Sequence, residues 1–351
     1  MQLDRALLRE LPKTDLHCHL DGSLRPETLL ELAVAQGVEL PTHDLEELRR
    51  ELVPPKGGDL PGYLTRFRWT VSVLQTEAAL ERVAFELGED AAEESVWYLE
   101  VRYAPFLHLE QGLSPDAVVE AVLAGLDRAH RDHGIRTGLI LTSLRTDEPS
   151  RSLELADLAI RYHDAGVVAL DLAGSEDGFP AADHQEAFDR VRHADMFVTV
   201  HAGEAFGPQS IRQAIHDCGA NRIGHGTRLI EDPDLMDYVD DHRIGVEVCL
   251  TSNVQTGAVA RMEDHPFPTY LRRGLRVSLH TDNRLMSHTD STKELLTAVE
   301  TFGLDADDVR RLLLHGFKST FLAREAKAHL LVQAGLEIDR LLPSSDPATQ
   351  R

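Results

Sequence analysis

The chain has 351 residues, 59 of them acidic and 36 basic, for a formal net charge of −23. A field of that sign repels nucleic acid and anionic membrane surfaces over most of the protein, but does not oppose a small neutral substrate. Apolar residues make up 42% of the chain, yet no stretch approaches the roughly 20 consecutive apolar residues of a membrane helix, so a globular, cytoplasmic protein is expected.

The first residues, MQLDRALLREL, are polar and amphipathic and do not read as a secretion signal. Cys18, Cys218 and Cys249 are odd in number and scattered, which suggests neither a disulfide framework nor a CxxC zinc site. Any metal is therefore expected to be held by His and carboxylate.

The first apolar run, residues 14–20, ends in DLHCHLDGS. His17 and His19 are two apart, so on a strand their side chains point the same way and can begin a divalent-metal site. Asp21 and Gly22 follow. About 70 residues then separate this run from the next. That stretch carries helical patterns at 26–36, 44–52 and 60–74, the last with Tyr63, Phe67 and Trp69. An insertion at about 22–94 lies on the catalytic face if the chain is a barrel; it reads equally as a lid or as extra core packing.

Further runs follow at 96–104, 137–143, 167–172, 196–201, 222–225, 245–250 and 276–281. Several, such as VVALDLA and FVTV, are nearly continuous in apolar residues, as expected of strands buried on both faces of a parallel sheet. Helical patterns lie between them at 115–133, 153–163 and 209–217. The first has Ser114 as N-cap, Pro115 in its first turn and Gly134 at its end. Eightfold alternation of strand and helix predicts a (β/α)8 TIM-type barrel with a helical insertion after the first strand. An open doubly wound sheet is the alternative, but no glycine-rich dinucleotide fingerprint follows the first run. Residues 1–342 are expected to form one domain, with 343–351 a disordered tail.

Three later runs end in polar groups of the same kind. The fifth ends at His201, in HAGE, with Gly203 suited to a tight turn and Glu204 three residues on. The sixth ends at His225, between two glycines, an imidazole suited to proton transfer. The eighth ends in HTDN, with Asp282 and then Asn283. In a closed barrel these ends share one rim. Three imidazoles and a carboxylate there, His17, His19, His201 and Asp282, make a zinc-type site with room for a water. Glu204 and His225 remain as acid–base groups. His43, His130, His133 and His242 read as solvated surface, and Arg145 of SLRTDE as a loop or helix charge. CLTSNVQTG, residues 249–257, suggests no chemistry.

HxHLDGS, HAGE, RIGHGT and HTDN, in this order and at these strand ends, resemble the adenosine deaminase family over residues 11 to 335. The resemblance implies a Zn2+-dependent amidohydrolase barrel acting on a purine nucleoside, in purine salvage. It implies that His17, His19, His201 and Asp282 bind the metal, with His19 also facing the substrate. Glu204 would protonate N1 of the purine, and His225 would orient or deprotonate the water. The Gly174 N–H would meet N3, and Asp21 a ribose hydroxyl. Many family members carry a second Asp where this chain has Asn283. Purine N7 only accepts, so an acid there must be protonated to donate, whereas an amide donates without that.

Close relatives that deaminate adenine or a modified nucleoside such as aminodeoxyfutalosine usually carry Glu at the position of Asp21; the shorter acid leaves room for a ribose. No PCxxC signature of the cytidine-type zinc deaminases occurs. A metal hydrolase of esters, amides or phosphates on the same barrel, and an inactive binding relative, are the readings from other classes.

Overall fold

Nearly continuous apolar strands need cover on both faces, and this chain supplies it by rolling its sheet into a cylinder inside a ring of helices. The computed structural model describes residues 2–54 and 58–343; from 344 on, the expected tail lies outside the described residues. Eight parallel strands run in chain order: β1 (Lys13–His19), β2 (Val96–Tyr103), β3 (Arg136–Leu144), β4 (Val167–Ala173), β5 (Phe197–Ala202), β6 (Arg222–His225), β7 (Gly245–Val248) and β8 (Val277–Leu279). This is a (β/α)8 barrel, as the alternation predicts.

The seam between β8 and β1 is closed by few backbone bonds, and they lie at one place. Asp282 bridges to β1, donating its N–H to His17 O (2.8 Å) and accepting from the His19 N–H (2.7 Å). Below it, side chains take over the ladder. The Leu16 N–H donates to Nδ1 of His280 (2.9 Å) and the Thr281 hydroxyl to Asp15 (2.6 Å).

Some boundaries differ from expectation. The seventh strand stops at Val248, because Cys249 caps a helix over Leu250–Gln255. The helix expected at 153–163 begins earlier, at Pro149, whose fixed φ suits a first turn, and ends at Arg161. The pattern at 60–74 is two short helices, Leu60–Leu64 and Phe67–Val73. The insertion also holds a long helix, Glu77–Glu93, capped by the Thr76 hydroxyl.

Charged residues inside these buried strands have found one another. On β2, β6 and β7, Arg222 donates from Nε to Glu247 (2.5 Å), pairs with Glu100, and donates to the Ser319 carbonyl (2.8 Å). Its guanidinium lies 3.5 Å from the centroid of the Phe321 ring. Arg102 donates to Glu247 (2.8 Å) and to Leu16 O (2.7 Å), with Asp171 of β4 at 3.5 Å. A buried charge without its partner is costly, whereas an exposed ion pair contributes little. Arg222→Met takes the arginine from Glu100 and one of two from Glu247, and the expected loss in a urea denaturation series is about 3–5 kcal/mol. Arg190→Met removes an exposed pair with Asp157 and should cost less than about 1 kcal/mol. Equal losses would contradict the assignment of the interior network.

Candidate active site

Strand alternation puts His17 and His19 on one side of β1, and the seam bonds bring Asp282 against both. His17 Nε2 and His19 Nε2 each lie 3.4 Å from Asp282 Oδ1, and His19 Nε2 lies 3.2 Å from His201 Nε2. Two donors held about 2.1 Å from one ion at a tetrahedral angle stand about 3.4 Å apart, so these separations suit a single zinc-type cation. His17 Nε2 is buried and has no hydrogen-bond partner among the described residues. The three imidazoles and the carboxylate therefore fit the metal that their chemistry suggests.

Two of the three imidazoles, His17 and His201, are aimed from behind. His17 Nδ1 lies 2.8 Å from Glu247, and His201 Nδ1 lies 3.0 Å from Asp171. A proton held at Nδ1 by a carboxylate leaves Nε2 as the free donor. Burial, helped by Arg102 and His201, pushes His17 down to about 4, and burial pushes His19 well below the usual imidazole range. Both are thus neutral, as ligands must be. For His201, burial also opposes the charge, but Asp171 outweighs it and lifts the group. Burial opposes the charge of Glu247 as well, but Arg102 and Arg222 hold its carboxyl well below the ordinary range. A side-chain carbon at Gly224 would meet His17 Cε1 at 3.0 Å, so the glycine beside His225 leaves room for a ligand ring.

Asp282 and His225 are non-glycine residues in the left-handed region, with φ of +58° and +63°. Such backbone is uncommon and is held here by its surroundings. The cysteines are less remote than their spacing suggested. Cys249 lies near His17 and Asp282, but burial raises its thiol well above the usual range, so it stays protonated.

Glu204 follows Gly203, whose φ is +71°. The loop is pinned by Glu176, which accepts from the N–H groups of Gly203, Glu204 and Ala205, each at 2.8 Å. The Glu204 carboxylate accepts from Thr256 Oγ (2.9 Å) and lies 3.6 Å from His225 Nε2. Burial pushes the Glu204 carboxyl up; Asp282 and Glu176 push the same way, against His225. It is a carboxylic acid placed to hold its proton.

These groups line a cavity of about 290 Å³ with Asp21, Gly174, Asn283 and, from the insertion, Leu60, Tyr63, Leu64 and Phe67. The insertion thus both roofs the cavity and packs, Tyr63 being buried with its hydroxyl 3.2 Å from Ser287 Oγ. Burial raises Asp21 to about 7, and its Oδ1 has no partner among the described residues. A side-chain carbon at Gly22 would fall 1.8 Å from Asn283 Oδ1, so that glycine is needed for Asn283 to sit where it does. Among the described residues, no Lys or Arg lines the cavity. A larger groove, about 680 Å³, runs over 227–231, 258–272 and 301–302 and shares no lining residue with this cavity. Size alone does not mark the site.

All nine expected residues come together: eight line the cavity and His17 lies beneath it. Arg145 departs from expectation. It is buried and donates to His201 O (2.8 Å) and Phe179 O (2.9 Å), bracing the strand end that carries the ligand. Glu247, Asp171 and Arg102 were visible as charges within apolar runs, a signal that each needs a buried partner. Glu176, Thr256, Asn253 and His265 gave no signal in the sequence.

A family model described as adenosine deaminase matches residues 12–334. The chain is 44% identical over 342 residues to an adenosine deaminase of Mycobacterium marinum, covering 92% of this chain and 94% of that protein. It is similar to the crystal structure of an adenine deaminase from Arthrobacter aurescens, with a TM-score of 0.88, 28% identity, and 95% and 100% of the two chains covered. An amidohydrolase from Burkholderia ambifaria with bound Zn shares the fold at a TM-score of 0.89 and 22% identity, covering 97% and 95%.

If Asp171 aims His201, Asp171→Asn should weaken zinc binding about 10–100-fold in competition with a chromophoric chelator. Unchanged affinity would contradict that role.

Proposed function

The chain belongs to the adenosine deaminase family and is a hydrolytic deaminase, and from that premise we propose that it converts adenosine and 2′-deoxyadenosine to inosine and 2′-deoxyinosine with release of ammonia. Residues 1–342 act as one catalytic domain holding one Zn2+, in cytoplasmic purine salvage. The observation that carries this reading is Glu204, a buried carboxyl with a raised pKa, 3.6 Å from His225 Nε2 on the cavity that His19, His201 and Asp282 also line.

His17, His19, His201 and Asp282 hold the ion. When bound, it lowers the pKa of a water toward neutrality and so supplies a nucleophile. The remaining steps belong to the chain. Asn283 donates to purine N7, and the backbone N–H of Gly174 to N3. Asp21, with Oδ1 free of protein partners, takes a ribose hydroxyl. His225 faces the water. As oxygen adds to C6, Glu204 gives its proton to N1, which relieves the charge that would build on the ring. The amino group then takes the proton that the water gave up on addition, the C6–N bond breaks with release of ammonia, and the C6 hydroxyl returns its proton to Glu204, leaving a 6-oxo ring protonated at N1. The apolar roof from the insertion keeps bulk water from the ring.

Among the described residues no Lys or Arg lines the cavity to meet a phosphate, which favours a nucleoside over a nucleotide. The rival reading, deamination of free adenine or of a modified nucleoside such as aminodeoxyfutalosine, is favoured by the likeness to an adenine deaminase. The short acid at Asp21 favours the nucleoside. Steady-state kinetics on adenosine, adenine, AMP and aminodeoxyfutalosine separate these, with the highest kcat/KM expected for adenosine.

Glu204→Gln should keep zinc but lose about 10²–10⁴-fold in kcat. In the parent protein kcat/KM should hold at low pH and fall as pH rises through the elevated pKa of Glu204, because only the protonated acid serves N1. Retention of most activity by the Gln variant would overturn this assignment.

A further inference from the structure

Asn253, fully buried in the short helix after β7, sits between two imidazoles. Its Nδ2 lies 3.0 Å from His225 Nδ1, and its Oδ1 lies 3.1 Å from His265 Nε2. The direction of each bond follows from one end of the row. The backbone N–H of Phe267 can only donate, and it reaches His265 Nδ1 at 3.1 Å. That nitrogen therefore carries no proton. Burial, with His225 acting the same way, pushes the His265 imidazole down to about 3, so the ring is neutral and its proton is on Nε2. It goes to Asn253 Oδ1. The other end of the amide is an NH2 group, which has no acceptor capacity, and it faces His225 Nδ1. That nitrogen has to accept.

We propose that Asn253 and His265 are positioning residues: a one-way hydrogen-bond chain from Phe267 N–H through His265 and Asn253 fixes His225 with its proton on Nε2, so that His225 presents a donor, not a base, to the reacting oxygen. The assignment of a reacting oxygen rests on the deaminase reading above; the tautomer does not. His225 Nε2 faces the cavity, 3.6 Å from Glu204, on a backbone held at φ +63°. A donor fixed in a buried site stabilises negative charge growing on the oxygen that adds to C6. The proton that the water gives up then goes to a carboxylate of the site: Asp282, or Glu204 once Glu204 has protonated N1. The otherwise unexplained polar groups of CLTSNVQTG thereby gain roles: Asn253 sets the imidazole and Thr256 holds the acid.

The test is a two-bond 1H–15N spectrum of protein with 15N-labelled histidine, recorded with and without zinc; His225 is assigned by the signal lost in His225→Gln. The parent protein should show His225 protonated at Nε2 and bare at Nδ1. In Asn253→Asp a carboxylate faces both rings, and His225 should gain a proton at Nδ1. Zinc content and KM for adenosine should be kept while kcat falls about 100-fold. A parent spectrum with Nδ1 protonated overturns the proposal, as does an Asn253→Asp protein whose kcat is unchanged. If that variant does not fold, the parent spectrum decides alone. A parent protein with the Nε2–H pattern that leaves adenosine untouched supports the chain and overturns the substrate reading instead.

Discussion

The carboxylate of Glu247 is the point on which this molecule turns. It is buried at the centre of the barrel and meets His17 Nδ1, Arg102, Arg222 and the Thr199 hydroxyl. Four partners offset the cost of taking a charge out of water. One of them, Arg222, ties it to Glu100 and to the Ser319 carbonyl, and Glu100 in turn accepts from the Phe321 N–H. Another, His17, is the deepest of the four metal-facing groups. One carboxylate thus joins the electrostatics that hold the barrel to the tautomer that a metal centre requires. Arg102 extends the link to Asp171, and through it to His201. His17 and His201 are thus aimed by groups that the fold itself needs.

The seam of the barrel works the same way. β8 has only three residues, and closure against β1 depends on Asp282, whose backbone pairs with His17 and His19. Closing the cylinder and assembling the donor set are one event. The left-handed backbone at Asp282 and His225 marks where that closure strains the chain to turn a side chain inward.

Much of this was legible in the sequence, for identifiable reasons. Apolar runs between helical patterns located all eight strands, because burial on both faces leaves no alternation to confuse. His17, His19, His201 and Asp282 were legible because each ends such a run, where a barrel gathers its chemistry. What stayed hidden depends on distance along the chain. Glu247 is visibly odd inside GVEV, but nothing local says that its partners are His17, Arg102 and Arg222. Arg145 looks like a surface charge until the fold brings His201 O within its reach. Asn253 and Thr256 lie in and at the end of a short helix that forms because β7 ends early. Asn283 was legible as a departure, but the bare Gly22 against which it packs became meaningful only in three dimensions.

The central claim is that this donor set makes a metal-dependent adenosine deaminase. The most direct measurement follows the ultraviolet spectrum of adenosine with zinc-loaded protein, then after chelation, then after zinc is restored. The account predicts conversion to inosine that stops on chelation and returns with zinc. Conversion that is indifferent to chelation, or no conversion of adenosine or 2′-deoxyadenosine by protein shown to hold zinc, would contradict it.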